Sequence, residues 1–302
     1  MTAMQTHQDG NRRAEHVAMT EAFFRRAAEL KVALDPRLFW YHTIDLGEGL
    51  ITPGTFDYRA TLSDFGFPDD LTGLSALDVG SATGFFAFEL ERRGARVTST
   101  EVPALSQWDH FPGESEHAIA AKMRDLLPYH SVLPQEKIAL TFKDLSARQL
   151  YQILLDDPFW FCHHRLGSQV ERVYSTIYEL PNLFEPVQKF DLVLIGDILL
   201  HTIDPLRALA SVAKLCGDTL MLVQDMEVPG GDQPLVLYVG GDTPESDVAQ
   251  WWRPNFAWIR QVLTRLGFQQ VELTGHVRGQ LRPGGEPFQK SVVRARRSAR
   301  QF

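Results

Sequence analysis

Asp78, Gly80, Ser81 and Gly84, followed by Glu101 17 residues beyond Gly84, are the residues of this chain whose types and spacing point most directly to chemistry. The first four lie in Ser75-Ala-Leu-Asp-Val-Gly-Ser-Ala-Thr-Gly-Phe-Phe-Ala-Phe-Glu89, which reads as a buried strand, a glycine turn and the start of a helix. Leu77 and Val79 are apolar strand positions, and the two glycines permit a turn tight enough for a ligand to approach the backbone. Glu101 ends a second strand, Gly94–Glu101, near the spacing at which an α/β nucleoside site places its ribose-binding carboxylate, where it can accept from both hydroxyls. The turn departs from the G-x-G-x-x-G dinucleotide fingerprint, matching two of its three glycines, which disfavours a pyrophosphate. The chemistry suggested is therefore that of a nucleoside cradle.

Other residues are candidates for acid–base work or for lining a pocket. His201 follows Asp197 by four, a spacing that predicts both on one helix face, and it is the first candidate for a general base. His42 is the second. Trp40 and Tyr41 could close over a cationic ligand through their ring faces, or supply core area. Asp225 could orient an acceptor or cap a turn. Trp251 and Trp252 point different ways, so one can wall a pocket while the other plugs the core. Tyr129 and His130 belong to a segment expected to shape that pocket. His163 and His164 are adjacent, so on a helix they diverge and cannot chelate together, and no metal site is predicted.

These residues need a frame. Further strands are read at Glu171–Tyr178, Phe190–Gly196, Thr219–Val223, Phe268–Leu273 and Lys290–Ala295, with an amphipathic helix over Asn255–Leu266 closed by Gly267. Near-continuous apolar strands alternating with helical stretches predict a mostly parallel sheet covered on both faces, with its site at the carboxyl ends of the strands. At 302 residues and 44% hydrophobic content, the chain can bury one large core. Its net charge of −8 disfavours broad non-specific binding to nucleic acid or anionic membrane. No early apolar run suggests a leader or a membrane span. Cys162 and Cys216 give no disulfide framework; both read as buried thiols, and a cytoplasmic setting is expected. Residues 1–18 are polar and expected to be mobile, a helix is read over Glu21–Leu34, and the arginines of the last nine residues are expected to stay in water.

The spacing Asp78-x-Gly80-x-x-x-Gly84 resembles motif I of class I S-adenosylmethionine (SAM) methyltransferases. More specific phrases, Phe39-Trp-Tyr-His-Thr-Ile-Asp-Leu-Gly47, Thr52-Pro-Gly-Thr-Phe-Asp57, Leu166–Tyr174 and Trp251-Trp-Arg-Pro-Asn255, resemble the tRNA wobble-uridine 5-oxyacetic-acid methyltransferase family over roughly 37–109 and 160–295. The resemblance implies an α/β fold, a Rossmann-like class I methyltransferase sheet with helices on both faces, an N-terminal helical extension and a helical lid insertion. It implies a cofactor-covering segment at 19–70, a SAM-binding domain at 71–295 with its insertion at 110–150, and a basic tail at 296–302. It places adenine near Tyr178 and Glu179, and the transferred methyl near Asp197 and His201. That family uses a carboxylated SAM, held in part by a tyrosine and an arginine; here Leu200, Lys290 and Ser291 stand in the matching places, so ordinary SAM is expected.

The expected reaction is in-line methyl transfer to a small, specialised acceptor. The alternatives are wobble-uridine methylation of tRNA, with Arg12, Arg13, Arg25, Arg26 and the arginine-rich tail as footprint, and a non-catalytic SAM-binding protein. No membrane partner is expected, and a homo-oligomer contact through 110–150 is an alternative use of the insertion.

Overall fold

Strands that are apolar on both faces need cover on both, and the computed structural model, which describes residues 3–130, 144–184, 188–228, 232–243 and 250–297, has this layering. In chain order the strands are β1 (Ser75–Val79), β2 (Arg96–Glu101), β3 (Glu171–Tyr174), β4 (Phe190–Gly196), β5 (Cys216–Gln224), β6 (Val236–Tyr238), β7 (Trp252–Pro254), β8 (Gln270–Gln280) and β9 (Pro287–Arg296). The main sheet runs β3-β2-β1-β4-β5-β9-β8, and β6 pairs with β7 separately. β1 to β5 are parallel, whereas β9 is antiparallel to both β5 and β8.

The helices are α1 (Ala3–Glu29), α2 (Phe85–Arg92), α3 (Glu116–His130), α4 (Ala147–Tyr151), α5 (Asp157–Leu166), α6 (Leu180–Leu183), α7 (Pro205–Leu215) and α8 (Phe256–Arg265). Alternate strand residues divide the core. Ala76, Leu192, Leu194, Met221 and Val223 pack with α1, α2 and α5 on one face. Leu77, Val79, Val193, Ile195, Leu220 and Leu222 pack with α7 and α8 on the other. The period-two side-chain direction of a strand, applied to strands that are mostly apolar on both sides, produces both cores at once.

A third, smaller core lies in the insertion after β2. Ile119, Ala120 and Met123 of α3, Leu150 and Tyr151 of α4, and Ile153 and Leu154 of the π-helical turn Gln152–Asp156 enclose Leu105. Ser146 and Gln149 form a capping box that starts α4. The expected helical insertion is therefore present, with a core of its own.

Of the polar stretch 1–18, residues from Ala3 on are helical in α1, where His16 and Thr20 are buried in line with Phe23 and Ala27. Three expectations are corrected. β3 stops at Tyr174 rather than Tyr178, since the Thr176 carbonyl accepts from Glu179 and Leu180 and turns the chain. β8 extends to Gln280 through its pairing with β9. Arg297 is not a solvated tail residue; it donates to the carbonyls of Cys216, Leu266 and Ala213. Arg300 lies outside the described residues. Cys162 and Cys216 are both buried free thiols, as read. Among the described residues no helix is long and apolar enough to cross a membrane.

Candidate active site

β1 delivers Asp78 between Ser99 of β2 and Leu194 of β4, at the carboxyl end of the sheet. The chain then turns through left-handed Gly80 (φ +68°), Ala82 (φ +48°) and Gly84 (φ +90°) into α2. The positive φ favours glycine at Gly80, and the Ile198 side chain packs against the position a Cβ would take. The amides of Gly80 and Ser81 both donate to the Thr100 carbonyl, which ties the turn to β2.

Glu101 closes this turn from behind. Its carboxylate accepts from Ala82 N and from Val102 N, each at 3.1 Å, and the residue is buried. Burial raises its pKa, and the nearby Arg172 guanidinium pulls it back. Arg172, on β3, was missed by the reading of the sequence. It donates to Ser81 Oγ at 2.9 Å and to Ser99 Oγ and the Ala82 carbonyl at 3.3 Å, and it stacks 4.0 Å over the Phe159 ring. It lies within the phrase Leu166–Tyr174, but that phrase gave it no role. Asp78 is buried, its Oδ2 has no hydrogen-bond partner among the described residues, and burial pushes its carboxyl up to about 7.

Segment 40–58 folds over the turn. Thr43, Thr55 and Phe56 bond back to Phe56, Trp40 and Tyr41 through the main chain, and Thr52 Oγ1 accepts from Ile44 N while donating to the His42 carbonyl. This places His42 against the cradle, with its backbone N and its Nδ1 at 3.2 and 3.1 Å from Thr83 Oγ1. The His42 ring is buried among Tyr41, Phe56, Tyr58, Phe85 and Phe86. Burial, aided by the Lys290 charge, holds its pKa down to about 3, which keeps the ring neutral. Tyr41 is pushed up to about 12 by burial. Trp40 packs between Phe23 and Phe161, a core position joining α1 to α5.

The expected helix face linking Asp197 to His201 does not form. Asp197 has φ +50°, Leu199–His201 is a single 3-10 turn, and α7 begins only at Pro205, capped by Asp204. His201 is exposed, and Asp197 is instead engaged by Lys290 of β9. The two residues, each read from the sequence as near the cofactor, are separated by 93 positions, and their pairing was not expected.

Tyr178 bonds to Asp109, the residue before the insertion, and Asp109 also accepts from Ile203 N at 2.6 Å, which ties the start of the insertion to the loop after β3 and to the approach to α7. Tyr151 Oη donates to the Val102 carbonyl at 2.5 Å, anchoring the insertion beside Glu101. Glu179 is exposed and accepts from Asn182 Nδ2 at 2.5 Å. Asp225 pairs with Arg253 at 3.1 Å and accepts from Glu227 N, so it caps a turn. Trp251 is buried and meets Phe111 of the insertion edge-on at 5.6 Å, while Trp252 is half-buried and donates to the Ile203 carbonyl. Asn255 caps α8. Tyr129 and His130 end α3, and their side chains lie outside the described residues. Among the described residues no cluster of three or more His, Cys, Asp or Glu side chains could hold a metal ion.

The sheet order and the reversed last strands define a Rossmann-like α/β fold, with a glycine turn backed by a strand-end carboxylate at its carboxyl edge. No family model matches the chain, and no curated protein matches it. Among solved structures, it is similar to the magnesium protoporphyrin IX methyltransferase of Synechocystis PCC 6803 with bound SAM, at 15% identity and TM-score 0.40, covering 79% of this chain and 77% of that one. It is also similar to the N-terminal domain of EvdMO1 with S-adenosylhomocysteine (SAH) bound, at 17% identity and TM-score 0.47, covering 90% and 94%. A third is the 1,6-didemethyltoxoflavin-N1-methyltransferase of Burkholderia thailandensis, at 16% identity and TM-score 0.41, covering 79% and 73%.

Proposed function

We propose that this chain is a SAM-dependent methyltransferase that methylates a small acceptor. The observation carrying this reading is the buried Glu101 carboxylate, held by the Ala82 and Val102 amides directly behind the left-handed turn of Gly80 to Gly84. Each carboxylate oxygen accepts one amide and keeps a lone pair free, which suits the two vicinal hydroxyls of a ribose. Left-handed Gly80, Ala82 and Gly84 fold the turn's backbone against this carboxylate. These features fit an adenosyl group.

When bound, SAM supplies a methyl on a positively charged sulfur, and the protein's task is alignment and exclusion of water. Segment 40–58 and the insertion anchored at Val102 are placed to enclose the cradle. The acceptor side falls at the carboxyl end of β4, where Ile198 packs on Gly80 and Asp197 precedes it. Neither histidine is assigned as a base in this reading: burial and the Lys290 charge depress His42 to about 3, which leaves it a weak base, and His201 shares no helix face with Asp197.

A small acceptor is favoured over tRNA because Arg12, Arg26 and Arg297, which an RNA footprint would draw on, donate to backbone carbonyls within the chain. Calorimetric titration of the wild-type chain with SAM and with SAH tests the reading. Saturable heats for both are expected, and their absence would end it.

A further inference from the structure

We propose that Arg172 is a positioning residue for the cofactor, acting through Glu101: it holds that side chain in place as a carboxylate, so that cofactor affinity depends on an arginine set behind the site. Resting on the methyl-transfer reading above, this adds a residue to the cofactor site. Asp78, Ser99 and Arg172 occupy one register row across β1, β2 and β3, and side chains in such a row leave the same face of the sheet. Glu101, two residues further along β2, leaves that face too. From β3, at the edge of the sheet, the Arg172 side chain runs inward with no exposure, and its Nη2 stands 4.0 Å from Glu101 Oε2. Its Nη1 serves Ser81 Oγ, Ser99 Oγ and the Ala82 carbonyl, whereas Nε and Nη2 have no hydrogen-bond partner among the described residues. A cation buried with donors to spare is costly unless a charge answers it, and the acid within ion-pair reach is Glu101.

The same pair grips the residue of the turn that is hardest to hold. Ala82 takes a left-handed φ of +48° without being glycine. Such a conformation costs on the order of 1 kcal/mol or more and persists only where its surroundings over-determine it. The Ala82 amide donates to Glu101 Oε2 and its carbonyl accepts from Arg172, so one ion pair clamps the residue from both ends. The charge matters as much as the position. Around Glu101, the other titratable groups among the described residues are Asp78 from β1, Tyr151 from α4, Asp156 from the π-helical turn and Tyr174, its register partner on β3, and none is a cation. Burial raises the Glu101 pKa, and Arg172 opposes the rise together with the Val102 and Ala82 amides. Without the guanidinium the carboxyl keeps its proton to higher pH, and one of its oxygens then donates where it should accept. Binding would have to expel that proton, which ties affinity to pH.

Calorimetric titration with SAH from about pH 6 to about pH 8 is the test. Arg172→Gln keeps hydrogen bonding without the charge. Relative to wild type, its SAH affinity is expected to fall about tenfold or more at the acid end and to recover as pH rises, by up to about tenfold per unit. Arg172→Lys, which restores a charge, should recover most of the wild-type profile, and a slope like that of Arg172→Gln would overturn the inference. A loss in Arg172→Gln that is equal at every pH marks a structural part only and overturns it, as does no loss. So does a slope that persists when Glu101→Gln is added, because the proton would then belong to another group. Should Arg172→Gln fail to fold, carbon-13 NMR of the ligand-free wild type decides. The Glu101 carboxyl resonance, assigned by its absence in Glu101→Gln, should hold its ionised position across the same range, and movement there overturns the inference. A wild-type chain that does not bind SAH removes the methyl-transfer reading itself, and the ligand-free resonance reports on the ion pair separately from that result.

Discussion

At Asp78 the chain holds a carboxyl group where one oxygen meets no partner and burial raises the pKa from 3.8 to about 7. Between those values the folded state keeps a proton that the unfolded state has released. Stability therefore falls as pH rises through that window, by about 4 kcal/mol when the whole shift is realised. Asp78→Asn keeps the shape without the charge, so its stability relative to wild type should grow from about pH 4 to about pH 8 in the ligand-free protein. His42, depressed to about 3, contributes with the opposite sign, but it is common to both proteins and cancels in the comparison. Urea unfolding across a pH series measures the difference, and a flat one would show that the carboxyl is not carried buried. Glu101 makes the complementary case, a carboxylate whose value lies in its charge. Glu101→Gln should weaken SAM binding by about 2 kcal/mol, roughly thirtyfold, since hydrogen bonds to charged groups are the costly ones to lose. Calorimetry on the folded variant reads this directly.

The insertion is the element whose separate core can be tested separately. Leu150 is fully buried among Leu105, Ile119, Met123 and Ile153, so Leu150→Ala removes contacts within the insertion and leaves the two sheet-facing cores intact. The cost should be about 2–4 kcal/mol, appearing as faster amide exchange in α3 and α4 while β1 and β4 stay protected. Exchange rising equally across the sheet would mean that the insertion is not an independent unit. The sheet was legible in the sequence because its strands are apolar runs bounded by turns, and the glycine turn because φ above zero demands glycine at Gly80 and Gly84. α1 was half hidden, since its buried stripe continues through His16 and Thr20, which read as polar surface. The pairing of Asp197 with Lys290 was out of reach, because only the return of β9 beside β5 brings together residues so far apart in the chain. The helix expected over 197–201 failed for a local reason: a left-handed Asp197 breaks the 3.6-residue periodicity that the spacing assumed.

On the scale of the whole molecule, the end of the chain locks the sheet to its helices. Arg297 follows β9 and sends its guanidinium to the Ala213 carbonyl in the last turn of α7, to Cys216 at the start of β5 and to Leu266 just past α8, while it lies 4.4 Å over the Phe268 ring. The last carbonyls of a helix have no partner within it, and a cation there also opposes the negative end of the helix dipole. One side chain therefore satisfies carbonyls at the ends of two helices and on a strand. Arg297→Met keeps the apolar stem over Phe268 but abandons those carbonyls. The expected loss is about 3 kcal/mol, and for a chain of this size the melting temperature should fall by roughly 5 °C in one cooperative transition. SAM affinity should be unchanged, because Arg297 bonds at Cys216, the amino end of β5, whereas the Gly80–Gly84 turn follows the carboxyl end of the parallel strand β1. A melting temperature equal to that of wild type would mean that water serves those carbonyls as well as the guanidinium does.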